Sequence, residues 1–567
     1  MPPAISILAG RLNAQSVRRD TLRFAPTVLL HLAALVVMAA TETDRVAALA
    51  FLLTWGALNF FWLALLRRPA PAAALSLATV AIVVLVSRLK HEIISVTANF
   101  LDVLIVDRDA ISFLLDIVPS LYRDVAVAVV LGAAAIALLW RFERLRLRRR
   151  PALAGFFACL SGIAALAWSA PLADWEIFLD GSYVSKFARS GVDEISALMT
   201  RGYMESDAAV AGRLKLLPQA TCAPAARPPH IILVHDESSF DIRVAPAVKV
   251  PEGYGAHFRS FDGRERRFLV ESVGGPSWYT EYNVLAGLSA RSFGPFAYHV
   301  TRIAAGRVER GLATALRRCG YRSFSIYPAL GAFMSAKSFQ ASTGVEHFFD
   351  QRALGTRAIE PDRFYYDAAR AMIARERANG PMFVFVYLAQ NHWPWDQRWR
   401  PDLLPEWKDP GNMPEVDEYL RRQALSARDY ADLLDRLNRD FPDEPFLILR
   451  YGDHQPDFAF LLQEPSLDEA AITQRLINYD PRYFSTYYAV DAVNYAPVNM
   501  SSALDTIEGP YLPMIAQELA GLPLDASFAE QKRIFARCKG LFYGCAGGAE
   551  ARRFNRLLID AGLIKGL

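Results

Sequence analysis

The chain has 567 residues, 53% of them hydrophobic, and a formal net charge of +3 at pH 7. This length excludes a single ordinary domain, and a charge so close to zero says nothing about partners. The hydrophobic residues are concentrated in the first third of the chain, which indicates a membrane-embedded region.

Five apolar segments predict membrane-spanning helices, because each has roughly the 17 to 25 residues that cross a bilayer. They lie at about residues 24–41, 46–66, 70–87, 124–141 and 152–170, and the third is the shortest. The first is too long for a cleavable signal peptide and lacks a small-residue cleavage site, so we expect it to remain as an anchor.

Arginine placement predicts the orientation, since Lys and Arg collect on the cytoplasmic side of short loops. With five spans, the arginine groups at 11–23, 67–68 and 141–150 all fall on one side. This puts the N-terminus in the cytoplasm and everything after residue 171 outside. A nucleic-acid patch at 141–150 is the weaker interpretation because two spans flank it closely, and we expect no nucleic-acid partner.

Composition divides the chain into five regions. We expect a cytoplasmic N-terminus at 1–23, a transmembrane domain at 24–171, a juxtamembrane linker at 172–228, a catalytic domain at 229–525 and a C-terminal extension at 526–567. Within the second region, residues 88–123 are apolar but interrupted by aspartates, and this pattern predicts amphipathic pieces at the outer interface rather than a sixth span.

Five cysteines are consistent with this topology. Cys159 falls in the fifth span, and the other four fall outside, where an even number of thiols can pair: Cys222, Cys319, Cys538 and Cys545. Pairing Cys538 with Cys545 would close a small loop and leave Cys222 with Cys319, although four cysteines allow three connectivities.

From residue 230 onward, short apolar runs alternate with helical patterns, which predicts an α/β domain with a mainly parallel sheet covered by helices. The predicted strands are 231–234, 267–271, 323–327, 382–388 and 446–449. The predicted helices are 280–288, 311–318, 362–378, 415–437 and 506–519.

Two of these strands end in residues that suit a divalent metal. The strand at 446–449 is followed by Asp453 and His454, and the strand at 231–234 is followed by Glu237. The carboxyl edge of an open α/β sheet is where such folds hold ligands. Taken alone, Glu237 would be a solvated loop acid.

A glycine-flanked serine, Ser277, opens a predicted helix, where the positive dipole end stabilises an alkoxide or a bound phosphate. Taken alone, it is better explained as a plain N-cap, with Glu281 completing the capping arrangement. His392 follows another strand, and it could bind a phosphate, protonate a leaving group or simply stack between Trp393 and Trp395.

Taken together, four segments resemble the sulfatase-like branch of the alkaline phosphatase superfamily: Ile231–Glu237, Ser277–Gly287, Asn391–Pro394 and Gly452–His454. Within that branch the chain looks like the membrane-anchored phospholipid head-group transferases, namely lipoteichoic acid synthases, periplasmic-glucan phosphoglycerol transferases and phosphoethanolamine transferases. Five spans followed by an extracytoplasmic catalytic domain is also their layout. Matching segments cover most of residues 229–525.

The resemblance implies a catalytic centre with one divalent metal, Mn²⁺ or Zn²⁺. Its ligands would be Glu237, Ser277, Asp453 and His454, with Ser277 also acting as the nucleophile. Most of these families use a threonine, whereas the cellulose phosphoethanolamine transferases use a serine. Thr280 is therefore the reserve nucleophile.

The resemblance also implies residues that contact the substrate. His392 would contact the phosphate or act as an acid or base, and Lys337 and Trp393 would contact the substrate. The lipoteichoic-type enzymes hold glycerol phosphate with a Trp and an Arg. The corresponding stretch Gly331–Lys337 lacks the Trp, and only Lys337 could replace the Arg.

The implied function is transfer of a phospholipid head group, through a phosphoseryl enzyme, to a cell-envelope glycan. The donor would be phosphatidylglycerol, favoured by the helix after Ser277, or phosphatidylethanolamine. The protein would lie in the bacterial cytoplasmic (inner) membrane, with its catalytic domain outside.

A metal-dependent hydrolase is the alternative. True sulfatases convert a Cys or Ser to formylglycine and need a Pro two residues later and an Arg four residues later. Those positions hold Tyr279 and Glu281 here, which disfavours conversion of Ser277 to formylglycine. A phosphodiesterase that uses water as acceptor stays an alternative. A non-catalytic sensor is disfavoured because all four ligand positions carry competent residue types.

Overall fold

The computed structural model describes residues 14–94, 96–106, 108–118, 120–173, 176, 179–213, 215–216, 222 and 227–567. The start of the predicted cytoplasmic segment and most prolines of the predicted linker lie outside the described residues. The chain divides into two compact units. The second, called the sheet domain here, runs from Arg201 to Leu567 and takes in a short stretch that ends at Phe113.

The first unit is helical. Its helices are α1 (Ala14–Thr41), α2 (Arg45–Leu66), α3 (Pro69–Ile94), α4 (Leu101–Leu104), α5 (Arg108–Ile117), α6 (Leu121–Phe142), α7 (Arg149–Ser169) and α8 (Tyr183–Arg201), although α5 extends across the boundary between the units. Among the described residues, five helices are long and apolar enough to cross a membrane, at the five predicted places. The prediction of five spans is confirmed, and the third is longer than expected, Pro69–Glu92.

The segment between the third and fourth spans forms the short helices α4 and α5. Apolar side chains such as Ile111 and Leu115 are exposed there, while aspartates interrupt the pattern. Neither helix is long enough to span a bilayer. A location at the outer interface stays a prediction.

The sheet domain is built on one eight-stranded sheet. Its strands are β1 (His230–Asp236), β2 (Arg266–Leu269), β3 (Arg322–Ile326), β4 (His347–Phe349), β5 (Met382–Tyr387), β6 (Phe446–Gly452), β7 (Ser485–Val493) and β8 (Thr506–Glu508), in the order β4-β3-β5-β1-β6-β7-β2-β8. Pairing is parallel except where β7 runs antiparallel to β6 and β2. The predicted mainly parallel sheet is confirmed, with all five predicted strands in place.

Helices cover both faces of this sheet. They are α9 (Ser277–Ala286), α10 (Val300–Ala304), α11 (Leu312–Arg317), α12 (Ala336–Ser342), α13 (Asp362–Glu376), α14 (Pro414–Asp440), α15 (Ala459–Gln463), α16 (Glu469–Ile477), α17 (Leu512–Leu519), α18 (Ala526–Cys538) and α19 (Ala549–Asp560). The predicted helix 506–519 is wrong in its first part. Thr506–Glu508 pairs with β2 as a strand, and Gly509-Pro510 then separates it from α17.

The two faces of the sheet have different contents. Ile232 and Val234 of β1 join a core cluster with apolar residues of α13 and α14. Since successive side chains of a strand point to opposite faces, the residues between them face the side on which α9 packs. The first face thus carries this apolar core, and the site described below lies on the second face.

Both disulfides expected for the outer part are present: Cys222–Cys319 and Cys538–Cys545. Cys159 is the free cysteine among the described residues. The pairing that the sequence left open is therefore settled within the sheet domain.

We expect the two disulfides to differ in their contribution to stability. They close loops of 97 and 7 residues, and the loop-entropy relation gives about 5 and about 2 kcal/mol. Replacing Cys222 and Cys319 by alanine should therefore lower the free energy of unfolding more than the same change at Cys538 and Cys545. Denaturant unfolding of the two double variants would measure this, and equal losses would contradict it.

Candidate metal centre and nucleophile

The site is set by the register of two neighbouring parallel strands. In the pairing of β1 with β6, His235 lies opposite Tyr451, and Asp236 lies opposite Gly452. One residue further, Glu237 and Asp453 leave the sheet side by side. Because side chains alternate, the pair His235 and Tyr451 shares a face with Glu237 and Asp453, while Asp236 points to the opposite face.

Four predicted residues meet at this edge and are buried. The hydroxyl oxygen of Ser277 lies 3.1 Å from Oε2 of Glu237 and 3.2 Å from Nε2 of His454. That same nitrogen lies 3.4 Å from Oε1 of Glu237 and 3.4 Å from Oδ2 of Asp453. Side chains from two strand ends and one helix start therefore converge within hydrogen-bonding range.

The carboxylate of Asp453 is fixed by the backbone. Its Oδ1 accepts hydrogen bonds from the amide of Ser238 at 2.7 Å and from its neighbour's amide, His454, at 2.8 Å. The Ser238 segment can reach it because it crosses directly over Gly452, where a Cβ atom would lie 1.7 Å from the carbonyl oxygen of Ser239. Asp453 therefore presents Oδ2 towards the cluster.

Ser277 stands at the first position of α9. The residue before it, Pro276, makes no side-chain cap hydrogen bond, and Glu281 is buried and accepts from Gln340 at 2.9 Å instead of reaching back to the helix start. The capping interpretation of Ser277 with Glu281 is therefore wrong. The serine hydroxyl points into the cluster, at the positive end of the helix dipole.

Two opposing effects set the charge of His454. Burial alone lowers its pKa, but the facing carboxylates of Asp453 and Glu237 raise it to about 9. Burial likewise raises the pKa of Asp453, and the imidazoles of His454 and His235 hold it below its usual range. Without a metal, the centre is an imidazolium between two carboxylates.

The donor set fits a divalent metal. Nδ1 of His454 lies 3.0 Å from the carbonyl oxygen of Gln455, which can only accept, so Nδ1 carries a proton and Nε2 supplies the lone pair. Carboxylate oxygens of Glu237 and Asp453 and the Ser277 hydroxyl face the same point. Imidazole nitrogen with carboxylate oxygen is a donor set suited to Zn²⁺ and Mn²⁺.

The other predicted residues lie around this centre with different surroundings. Thr280 is buried, and its hydroxyl donates to the carbonyl oxygen of Asp453 at 2.7 Å. His392 and Trp393 are exposed at the end of β5, and Nδ1 of His392 lies 2.7 Å from the carbonyl oxygen of Trp393. Lys337 is exposed on the first turn of α12.

The segment before Lys337 packs against α9, the helix that begins at Ser277. Phe333 lies edge-on to Trp278, with ring centroids 5.7 Å apart, and Trp278 directly follows Ser277. Met334 and Ser335 both have positive φ angles, 46° and 55°, a conformation that costs energy for residues other than glycine. The stretch that would correspond to the family's glycerol-phosphate contact thus has an unusual backbone beside Ser277.

Sequence reasoning missed two residues that support the site. Arg422 is buried in α14, pairs with Glu418 at 2.8 Å, and donates to the carbonyl oxygens of His392 and Pro394, both at 2.7 Å. It fixes the backbone of the loop that carries His392. The second residue is His235, which lies with Glu237 and Asp453 in a group whose ligand atoms are all within 4.8 Å of one another.

Neither residue could be singled out from its sequence signal. Arg422 is one of many arginines on a long amphipathic helix. His235 lies inside an apolar strand, where a buried histidine is unremarkable until its neighbour on β6 is known.

A comparison with protein families matches residues 277–501 to the sulfatase family. This range begins at Ser277 and includes Asp453 and His454. An uncharacterized protein of Haemophilus influenzae is 23% identical over 206 residues, which covers 33% of this chain and 36% of the relative. The chain thus matches little more than a third of that relative's length.

Solved structures similar to the chain include three bacterial enzymes. The phosphoglycerol transferase GacH of Streptococcus pyogenes, in complex with sn-glycerol-1-phosphate, is 14% identical, with 61% of this chain and 89% of that chain covered at a TM-score of 0.47. The lipoteichoic acid synthase LtaP of Listeria monocytogenes is 14% identical, with 52% and 72% covered at a TM-score of 0.39.

The third is the integral membrane lipooligosaccharide phosphoethanolamine transferase EptA of Neisseria meningitidis. It is 10% identical, with 85% of this chain and 96% of that chain covered at a TM-score of 0.38. Residues 277–501 thus match the sulfatase family, in agreement with the predicted resemblance to the sulfatase-like branch of the alkaline phosphatase superfamily.

Proposed function

We propose that the protein transfers a phospholipid head group to a cell-envelope glycan through a covalent intermediate on Ser277. The observation that carries this proposal is the position of the Ser277 hydroxyl, 3.1 Å from Glu237 and 3.2 Å from His454, at the start of a helix. This hydroxyl does not cap the helix, and it is buried among side chains that could bind a metal.

Glu237, Ser277, Asp453 and His454 would hold one divalent ion, Mn²⁺ or Zn²⁺. When bound, such an ion lowers the pKa of the serine hydroxyl and offsets negative charge on the phosphate. The N-terminus of α9 adds a positive dipole end at the same oxygen.

In the first step, the Ser277 oxygen attacks the phosphorus of the lipid donor and loses its proton. The phosphorus–oxygen bond to diacylglycerol breaks, the departing oxygen takes up a proton, and the head-group phosphate stays on Ser277. His392 is our candidate for contacting the phosphate or for supplying that proton. Its loop lies at the end of β5, the strand beside β1.

In the second step, a hydroxyl of the acceptor glycan attacks the same phosphorus. It gives up its proton, the bond to the serine oxygen breaks, and Ser277 is protonated again, so the enzyme returns to its starting state. Exposed Trp393 and Lys337 are the candidate contacts for the substrate.

The membrane helices support a lipid donor. A multi-pass protein meets phospholipid at high local concentration, because both are held in one membrane. We assign the sheet domain to the outer side of the bacterial cytoplasmic membrane, from the arginine distribution. Phosphatidylglycerol is our first choice of donor and phosphatidylethanolamine the second.

The covalent intermediate can be detected directly. After incubation of the purified chain with mixed phospholipids, we expect peptide mass spectrometry to find a glycerol phosphate or ethanolamine phosphate adduct on Ser277. Ser277→Ala should abolish the adduct and turnover, because it removes the hydroxyl that lies between Glu237 and His454 at the start of α9.

Thr280→Ala is the matched control. It removes a buried hydroxyl of the same helix that donates to the Asp453 carbonyl, so we expect a loss of about 1 kcal/mol in stability while the adduct still forms. An adduct that disappears in Thr280→Ala and persists in Ser277→Ala would overturn the assignment of Ser277 as the nucleophile. Head group released into water without any adduct would favour the phosphodiesterase.

Metal binding should displace a proton. Because the facing carboxylates raise the pKa of His454 to about 9, its Nε2 is protonated at pH 7 and must lose that proton to bind a metal. Mn²⁺ affinity should then rise with pH up to about 9, by about tenfold per unit. Calorimetry in buffers of different ionisation enthalpy would measure the released proton, and a buffer-independent heat would contradict this expectation.

The support of the His392 loop can be tested separately from the metal. Arg422→Ala should lower turnover by about tenfold or more, because the loop loses its fixed position, while Mn²⁺ affinity stays unchanged. Arg428→Ala is the control: it lies on the same helix and also donates to a loop carbonyl, that of Leu403 at 2.9 Å. Equal turnover in the two variants would contradict this role of Arg422.

A further inference from the structure

His235 is a second histidine beside the proposed metal centre. It is fully buried, and its Nε2 atom lies 3.2 Å from Oδ2 of Asp453, the oxygen turned towards the cluster. Its other ring nitrogen, Nδ1, lies 2.9 Å from the hydroxyl oxygen of Tyr451. The imidazole therefore bridges a phenol and a metal-ligand carboxylate.

The phenol decides which nitrogen of His235 carries the proton. Among the contacts of the described residues, Nδ1 of His235 is the hydrogen-bond partner of the buried Tyr451 hydroxyl. A phenol keeps its proton at neutral pH, so Tyr451 donates and Nδ1 accepts. In a neutral imidazole the proton then lies on Nε2, the nitrogen that is 3.2 Å from Oδ2 of Asp453.

His454 has the opposite arrangement. Its Nδ1 faces a carbonyl oxygen, that of Gln455, which fixes the proton there and leaves Nε2 to bind a metal. The two histidines thus differ in the hydrogen-bond partner of their Nδ1 atom. A phenol makes His235 a hydrogen-bond donor towards the centre, and a carbonyl makes His454 a ligand.

The ring of His235 is also fixed in direction. It stacks on Tyr387, with centroids 3.9 Å apart and planes 21° apart, and the ring of Tyr451 lies edge-on to it. Nε2 of His235 and Oδ2 of Asp453 are both buried, and neither has a hydrogen-bond partner among the described residues, although the two atoms lie only 3.2 Å apart. A small reorientation would make each the partner of the other.

We propose that His235 is a positioning residue: Tyr451 sets its tautomer, and its Nε2–H holds Oδ2 of Asp453 in the orientation that binds the metal. Together with the two backbone amides on Oδ1, three donors would then fix this one carboxylate. Outer partners of this kind typically change metal affinity 10- to 100-fold when removed. The inference rests on the proposed metal centre.

The test is Mn²⁺ binding by the full chain in detergent, measured by calorimetry without any substrate. His235→Phe keeps a stacked ring but loses the donor, and we expect its affinity to fall by about 10- to 100-fold. His235→Gln places an amide N–H near the position of Nε2 and should recover most of that loss. A direct ligand would not be replaced in this way, so equal losses in the two variants would overturn the proposal.

Tyr451→Phe removes the hydrogen bond from Tyr451 to His235 without changing the histidine. It should weaken Mn²⁺ binding, since nothing then holds the proton on Nε2. Tyr488→Phe is the matched control: Tyr488 lies opposite Tyr451 on β7, and its hydroxyl donates to the carbonyl of Leu504, away from the centre. We expect unchanged affinity in this control.

Further outcomes separate this inference from the proposed function. If the unaltered chain binds neither Mn²⁺ nor Zn²⁺, the proposed metal centre fails and the inference fails with it. If the unaltered chain binds Mn²⁺ and His235→Phe binds it equally well, the inference alone fails. Should His235→Phe not fold by circular dichroism, unchanged affinity in Tyr451→Phe would overturn the inference.

Discussion

The parallel register between β1 and β6 is the constraint on which the site depends. It sets Glu237 beside Asp453 and His235 beside Tyr451, all on the face where α9 packs. A slip of one residue would turn each of these side chains to the other face. On the opposite face, Ile232 and Val234 pack in the apolar core with residues of α13 and α14.

The same alternation explains why Asp236, between two residues of the centre, takes no part in it. On its own face, its carboxylate lies 3.2 Å from His257 and accepts from the hydroxyl of Tyr487, with Arg450 as the buried cation nearby. Burial and the charge of Arg450 lower the pKa of His257 to about 4, so the imidazole is neutral and Arg450 compensates the aspartate. The negative charge of Asp236 is thus neutralised on its own face of the sheet.

Sequence reasoning found the elements with strong apolar patterns, namely the five spans and five of the eight strands, and it singled out the candidate ligands that follow two of those strands. It missed β4 and β8, because three residues are too few for a period, and β7, whose run from Ser485 to Val493 mixes aromatic and polar residues. The two residues that support the site could not be predicted from the sequence, for a different reason. Arg422 acts through carbonyl oxygens about 30 positions away, and the role of His235 depends on which side chain the neighbouring strand sets opposite it.

Gly452 shows that a residue without a side chain can belong to a functional centre. The chain after β1 crosses so closely above it that any Cβ atom would collide with the backbone of Ser239. A substitution there would lift that crossing segment and carry the Ser238 amide away from Asp453. In a mutational scan we therefore expect this glycine to tolerate substitution as poorly as the proposed metal ligands, although it has no side chain to contact an ion or a substrate.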